Sequence, residues 1–241
     1  MTRVLAISPH LDDAVFSAGG TLARHAMNGD EVTVLTCFTG NVQRPAGFAL
    51  ACQLDKGLPA NVDYMALRRT EDENACGQIG ARAEHLPFLE APHRGYRDAA
   101  ALFGKRLESD QTVLDDLTKA IREQMDRFRP SVVYGPLGVG DHVDHHIVRD
   151  AILALSGNAG TIWWEDFPYA MKSPDVATGV QRRTLDPAAA AAKLRGVLCY
   201  SSQLAFQFGS TEGAVETLSS WSSEGFADWR ARQDSNLLPQ D

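Results

Sequence analysis

One imidazole and two carboxylates, His10, Asp12 and Asp13, fall within four positions in the stretch Ser8-Pro9-His10-Leu11-Asp12-Asp13. At a helix start, His10 and Asp13 stand three apart and can reach one point in space, while Asp12 faces elsewhere. That division suggests a metal held by two groups with a carboxylate base beside it. A second cluster, Asp141-His142-Val143-Asp144-His145-His146, brings three more imidazoles. His142 and His145 share a helical face, and His146 neighbours His142 one turn on. His10, Asp13 and one of these histidines make two nitrogens and one carboxylate oxygen. With a fourth position open to water, that set matches a catalytic Zn²⁺ site better than a closed structural one. Each cluster also has a plainer reading. Asp12 and Asp13 can cap a helix by accepting backbone N–H groups, and the histidines can form a solvated helix end.

The two clusters can meet only if the chain folds to bring them together. Val4 to Ile7 form an apolar run ahead of the first cluster, and residues 13 to 28 follow at helical spacing up to Asn28-Gly29, a usual stop. A second apolar run, Val32 to Phe38, completes a strand, helix, strand unit. Such a unit argues for a Rossmann-like, three-layer α/β fold with a mainly parallel sheet. The second cluster repeats the arrangement, with a strand at 131–136, a turn from Leu137 to Asp141 and a helix from about 142 to 155. If the two strands lie side by side, both turns open on the edge where such folds keep their ligands.

Further helices are expected at 65–80, 112–128, 187–200 and 212–222, and further strands at 85–89 and 161–167. Trp163 and Trp164 would fill the two faces of the last strand. Residues 40–63 and 90–110 lack clear period, apart from a short helix around 48–54; the first reads as a lid and the second as another pocket wall. The chain of 241 residues is expected to be one domain over 1–241, with a loose tail from about 234.

A formal charge of −8 argues against a polyanionic partner such as nucleic acid. The four cysteines, Cys37, Cys52, Cys76 and Cys199, are far apart, form no C-x-x-C, and read as free thiols in a reducing compartment. The start of the chain fits neither a signal peptide nor a membrane span, so the protein is expected in the cytoplasm with a small-molecule partner. The glycines at 135, 138 and 140 offer a competing phosphate loop, but Val143 stands where the dinucleotide pattern requires glycine and no Walker lysine follows.

On these motifs the sequence resembles the LmbE/PIG-L family of zinc-dependent N-deacetylases, which act on N-acetylglucosamine-type substrates. The resemblance rests on Pro9-His10-Leu11-Asp12-Asp13, on Pro136-Leu-Gly138-Val-Gly140-Asp-His142-Val-Asp144-His145, and on Arg68-x-x-Glu71-x-x-x-Ala75-x-x-x-Ile79-Gly80. Weaker echoes are Glu165-Asp166-Phe-Pro168-Tyr169 and Lys193 before Tyr200-Ser-Ser202-Gln203. It implies that His10, Asp13 and His145 bind Zn²⁺, with Fe²⁺ or Co²⁺ also tolerated by such ligands. It further implies that Asp12 is the base and that protonated His142, oriented by Asp144, stabilises the oxyanion. Leu11 and Val143 stand where the family commonly has proline, and Gly140 where some members have a tyrosine. Arg68 reads as a substrate contact or as a salt bridge to Glu71 or Asp72 along its helix. His146 is expected beside the ligands rather than among them, Arg94 and Arg97 on a solvated loop, and Glu165 and Asp166 at the pocket border. His25, His85 and His93 have no evident partners in the sequence. The implied activity is deacetylation of an amino sugar or glycoconjugate, with hydrolysis of a non-sugar amide or silent metal or sugar binding as alternatives.

Overall fold

A computed structural model describes residues 1–156, 160–172 and 179–228; the tail expected from about 234 lies outside them. The chain opens with β1 (Arg3–Ser8), α1 (Asp13–Met27) and β2 (Glu31–Thr36). It continues through α2 (Gly47–Leu54), α3 (Tyr64–Gln78), β3 (Arg82–His85), a 3-10 turn (Ala91–His93) and α4 (Ala99–Leu102). After α5 (Asp110–Phe128) come β4 (Val132–Pro136), α6 (Val143–Ser156), β5 (Thr161–Trp164) and α7 (Tyr169–Lys172). The described chain closes with β6 (Gln181–Thr184), α8 (Pro187–Val197), α9 (Ser201–Phe208), α10 (Thr211–Ser220) and β7 (Ser223–Asp228).

The strands form one seven-stranded sheet in the order β3-β2-β1-β4-β5-β7-β6. The first five are mutually parallel, with Val4 opposite both Val32 and Val132, while β7 runs antiparallel to β5 and to β6. Successive side chains of a strand point to opposite faces. Val4 and Ala6 of β1 thus join one core with Ala14, Phe16 and Tyr200, while Leu5 and Ile7 join the other with Leu117, Ile121 and Ile147. Trp163 and Trp164 divide in the same way, as expected, one into each core. Helices α1, α3 and α8 cover the first face and α5 and α6 the second, giving the expected three-layer α/β fold.

Two expectations about elements need correction, and one strand pair lies outside them. The strand placed at 85–89 runs earlier, over Arg82–His85, and Pro87, which has no N–H to give a ladder, makes only an isolated bridge to Phe38. The helix expected over 187–200 ends at Val197, and after a short turn α9 starts at Ser201. The antiparallel pair β6 and β7 was not anticipated: all four residues of β6 are exposed, so no apolar alternation marks it.

Candidate active site

Strand order reverses between β1, whose next strand pairs on one side, and β4, which lies on the other. At such a switch point the carboxyl ends of neighbouring strands flank an open crevice. His10, Asp12 and Asp13 follow β1, and His142, Asp144 and His145 follow β4, so the two clusters face each other there. The rings of His10, His142 and His145 form a triangle with centroids 5.0, 5.3 and 5.3 Å apart.

Local hydrogen bonds hold the first cluster. Ser8 Oγ accepts the Ala14 N–H at 3.1 Å and donates to the His10 carbonyl at 2.8 Å. Ser8 therefore supplies the cap at the start of α1. Asp12 occupies the N-cap position itself, at φ 152°, yet its carboxylate makes no capping bond, so the plain capping reading fails for Asp12. A non-glycine residue in that backbone region costs on the order of 1–3 kcal/mol and persists where the surroundings impose it. Burial pushes the Asp12 carboxyl up to about 7, against the nearby Arg68 guanidinium and with help from Asp13.

Asp13 Oδ2 lies 3.1 Å from His10 Nδ1 and 3.2 Å from His145 Nε2. Ligands about 2.0–2.1 Å from a tetrahedral ion are separated by about 3.3 Å, so these atoms lie close to the edge lengths of such a site. Each imidazole is oriented from behind by a carboxylate. His10 Nε2 pairs with Asp144 Oδ2 at 2.9 Å and His145 Nδ1 with Asp166 Oδ1 at 2.8 Å, which turns the opposite nitrogens toward Asp13. His145 Nε2 is fully buried, and Asp13 Oδ2 at 3.2 Å meets it as an ion pair rather than through a hydrogen bond. Burial opposes charge on both rings, but Asp13 with Asp144 or Asp166 outweighs it, raising His10 well above the imidazole range and His145 to about 9. Asp13, likewise resisted by burial, is held well below the carboxylate range by His145 and His10. The donor set is thus built to hold positive charge, and the residues fit a metal ion.

His10, His142 and Asp144 also lie close enough to offer three donor atoms, but the Asp144 carboxylate is already engaged. Its Oδ1 is 2.7 Å from Arg94 and its Oδ2 accepts from the Ala91 N–H at 3.0 Å as well as pairing with His10. The expectation that Asp144 orients His142 is therefore corrected: only the Asp144 backbone N–H reaches His142, donating to Nδ1 at 3.2 Å. With Nδ1 accepting, His142 carries its proton on Nε2. Burial, ahead of the neighbouring His10, lowers its pKa to about 3, the direction opposite to the expected imidazolium.

Arg68 is buried, with Nη1 2.6 Å from Glu90, Nη2 donating to the Leu11 carbonyl at 3.0 Å and lying 3.5 Å from Asp12. It does not pair along its helix; Glu71 accepts from Ser201 and Ser202, and Asp72 from Tyr200 while pairing with His85. Arg68 also lines a cavity of about 440 Å³ that His10, Asp12, Asp13, His142 and Tyr169 reach. Both weakly periodic segments contribute walls, the 41–63 stretch through α2 and its flanks and the 90–103 stretch through Glu90, His93 and Phe103.

Arg94 is the largest departure from the solvated loop expected of it. Its guanidinium is largely buried and bridges Asp144 to Asp110, which also accepts from Tyr96 at 2.7 Å. Arg97 is exposed as expected. Asp166 does border the site, and Oδ2 accepts from the Gly138 and Val139 N–H groups at 2.7 and 2.8 Å. Those are the amides a phosphate loop would need. Glu165 instead pairs with Arg182 at 2.7 Å. His146 stands 3.3 Å from the exposed Asp141 and outside the ligand triangle. His25 has partners after all, Asp30 at 2.8 Å and the Tyr134 hydroxyl at 3.0 Å. Glu90 and Arg94 carried no sequence signal, because their partners are distant in the chain and their segments lack period. Asp166 stood only in a weak motif.

Comparison with known proteins agrees with this geometry. Residues 5–156 match the PIG-L family, described as GlcNAc-PI de-N-acetylase. The 2'-N-acetylparomamine deacetylase of Streptomyces fradiae is 33% identical over 215 residues, covering 83% of this chain and 73% of its own. A deacetylase in the biosynthesis pathway of teicoplanin superposes with a TM-score of 0.82 at 31% identity, over 93% of this chain and 96% of its own. The zinc-inhibited form of a teicoplanin deacetylase gives 0.78 at 30% identity, with the same coverage. From the two facing motifs, the strand order that joins them and these matches, the chain belongs to the PIG-L family of de-N-acetylases.

Proposed function

We propose that this chain, as one domain over residues 1–241, is a metal-dependent N-deacetylase. It hydrolyses the acetamide of an N-acetylated amino sugar or glycoconjugate to acetate and a free amine. The observation that carries this reading is the convergence of the buried His145 Nε2, at 3.2 Å, and His10 Nδ1, at 3.1 Å, on the single oxygen Asp13 Oδ2. His10, Asp13 and His145 would hold the ion, Zn²⁺ by ligand type and spacing, with Fe²⁺ accepted by the same donors. When bound, such an ion acidifies water and polarises a carbonyl.

The chain's own residues do the rest. Asp12, with a pKa of about 7, takes a proton from water as its oxygen bonds to the acetamide carbon. It then delivers that proton to the nitrogen as the C–N bond breaks, because an unprotonated amine is a poor leaving group. The His142 Nε2–H is the donor for the carbonyl oxygen as that oxygen gains negative charge. Asp144 acts through His10, whose ring it orients, and Arg94 and Ala91 hold Asp144 in turn. Arg68 holds the Asp12 side of the floor and faces substrate in the cavity.

Two measurements on the purified protein test the reading together: bound metal, and acetate released from a panel of N-acetyl sugars. Stoichiometric metal with acetate release that is lost on chelation and restored by metal is the expected result. Absence of metal, or metal without acetate from any member of the panel, overturns it.

A further inference from the structure

The cavity holds more than a monosaccharide: at about 440 Å³ it falls among pockets that enclose drug-sized ligands, about 300–1,000 Å³. Its rim carries rings that the fold itself leaves uncovered. Phe103, just after α4, is 43% exposed, and Phe206, on α9, is 57% exposed; both line the cavity, as does Phe48 of α2. The Phe206 ring is set by a polar neighbour rather than by the core. The Lys56 ammonium lies 4.5 Å from its centroid and 5.7 Å from that of Tyr64, while donating to the Cys52 carbonyl at 3.1 Å. The Phe103 ring stands 5.4 Å from His142 and 6.0 Å from Tyr169, beside the reacting floor. Exposed aromatic surface around a concave site marks binding.

Building on the deacetylase reading, we propose that this rim is a subsite for an aromatic aglycone, so that the substrate is an N-acetylated amino sugar joined to an aryl group that packs against Phe206. An arene suits the rim better than a saturated chain. The rings of Phe48, Phe103, Phe206 and Tyr64 offer faces and edges to another π-system, and Lys56 supplies a cation at the same place.

The binding arm needs no catalysis. Titration calorimetry on the metal-loaded protein would compare phenyl, octyl and methyl β-D-glucosides, none of which carries an acetamide. Phenyl glucoside should bind tightest, and Phe206→Ala should weaken it about 3- to 10-fold, the scale of one aromatic contact, while leaving methyl glucoside unchanged. Phe206→Tyr should retain the preference. Kinetically, 4-nitrophenyl N-acetyl-β-D-glucosaminide should exceed free N-acetylglucosamine in kcat/KM, with the advantage lost in Phe206→Ala. Equal binding of phenyl and methyl glucosides, tighter binding of octyl glucoside, or a preference unmoved by Phe206→Ala would overturn the aryl subsite. Absence of acetate from every substrate while the phenyl preference persists would instead overturn the deacetylase reading and leave the subsite standing.

Discussion

Asp12 and Asp13 are adjacent and chemically identical, yet the fold gives them opposite electrostatic fates. Asp13 meets two imidazoles and is held well below the carboxylate range; Asp12 is raised by burial to about 7, against a guanidinium 3.5 Å away. Asp12→Asn should keep its metal and lose on the order of 10²-fold or more in kcat, the usual scale for a positioned acid or base. Because the acid form of Asp12 cannot accept a proton, kcat/KM of the parent enzyme should rise with pH through the neutral region, and this limb should vanish in Asp12→Asn. His145→Ala should strip the metal, read by elemental analysis, whereas His146→Ala should leave metal content unchanged, since His146 faces Asp141. Residue types and spacing brought His10 and Asp13 together with one histidine of the second cluster, and the family resemblance singled out His145. They could not reveal what Asp144 does, because its partner Arg94 lies fifty positions earlier in a stretch without period. A neighbour in sequence, His142, took the place of the true neighbour in space.

At the scale of elements, legibility followed burial. Strands β1 and β4, buried on both faces, stand out as apolar runs, and α1 and α6 show their apolar stripes. Strand β6 is polar throughout and shows no pattern, and β7 is recognisable only through its partners. One of its residues nevertheless fastens the helix that starts in the active site. Glu224 accepts from the Gly20 and Thr21 N–H groups at 2.8 and 2.9 Å, from the Thr21 hydroxyl at 2.6 Å, and from buried Lys193 at 2.9 Å. Glu224→Ala would leave a buried ammonium without its counter-charge, so chemical denaturation should show a loss of about 3–5 kcal/mol, the scale of a broken buried pair. The turn after β4 is equally constrained. Gly140 has φ 89°, and a Cβ there would lie 2.7 Å from the Tyr169 Cβ. Gly140→Ala should therefore lower the melting temperature and displace the ring that packs 5.4 Å from His145.

Across the whole molecule, the strand order turns local motifs into a site. Parallel strands were readable from the strand, helix, strand rhythm, but no local pattern specifies that β4 pairs with β1 rather than with β3. That single adjacency brings His145 to His10 across more than a hundred positions. No helix among the described residues is long and apolar enough to cross a membrane. An ion that binds the folded chain and not the unfolded one stabilises it by mass action. Chelation should thus lower the melting temperature as well as abolish activity, and both should return with metal.

Arg94 has a consequence for anyone redesigning the enzyme. Its guanidinium ties the wall after β3 to Asp144, whose other oxygen pairs with His10, while Asp110 and Tyr96 brace it from outside. The opposite wall, α2 with Phe48 and the following Lys56, has no such strut to the ligand triangle among the described residues. The two sides of one pocket therefore differ in mechanical coupling. Grafting a foreign segment in place of 41–63 should shift selectivity and spare metal affinity, whereas the same graft at 90–110 should release the ion along with the specificity.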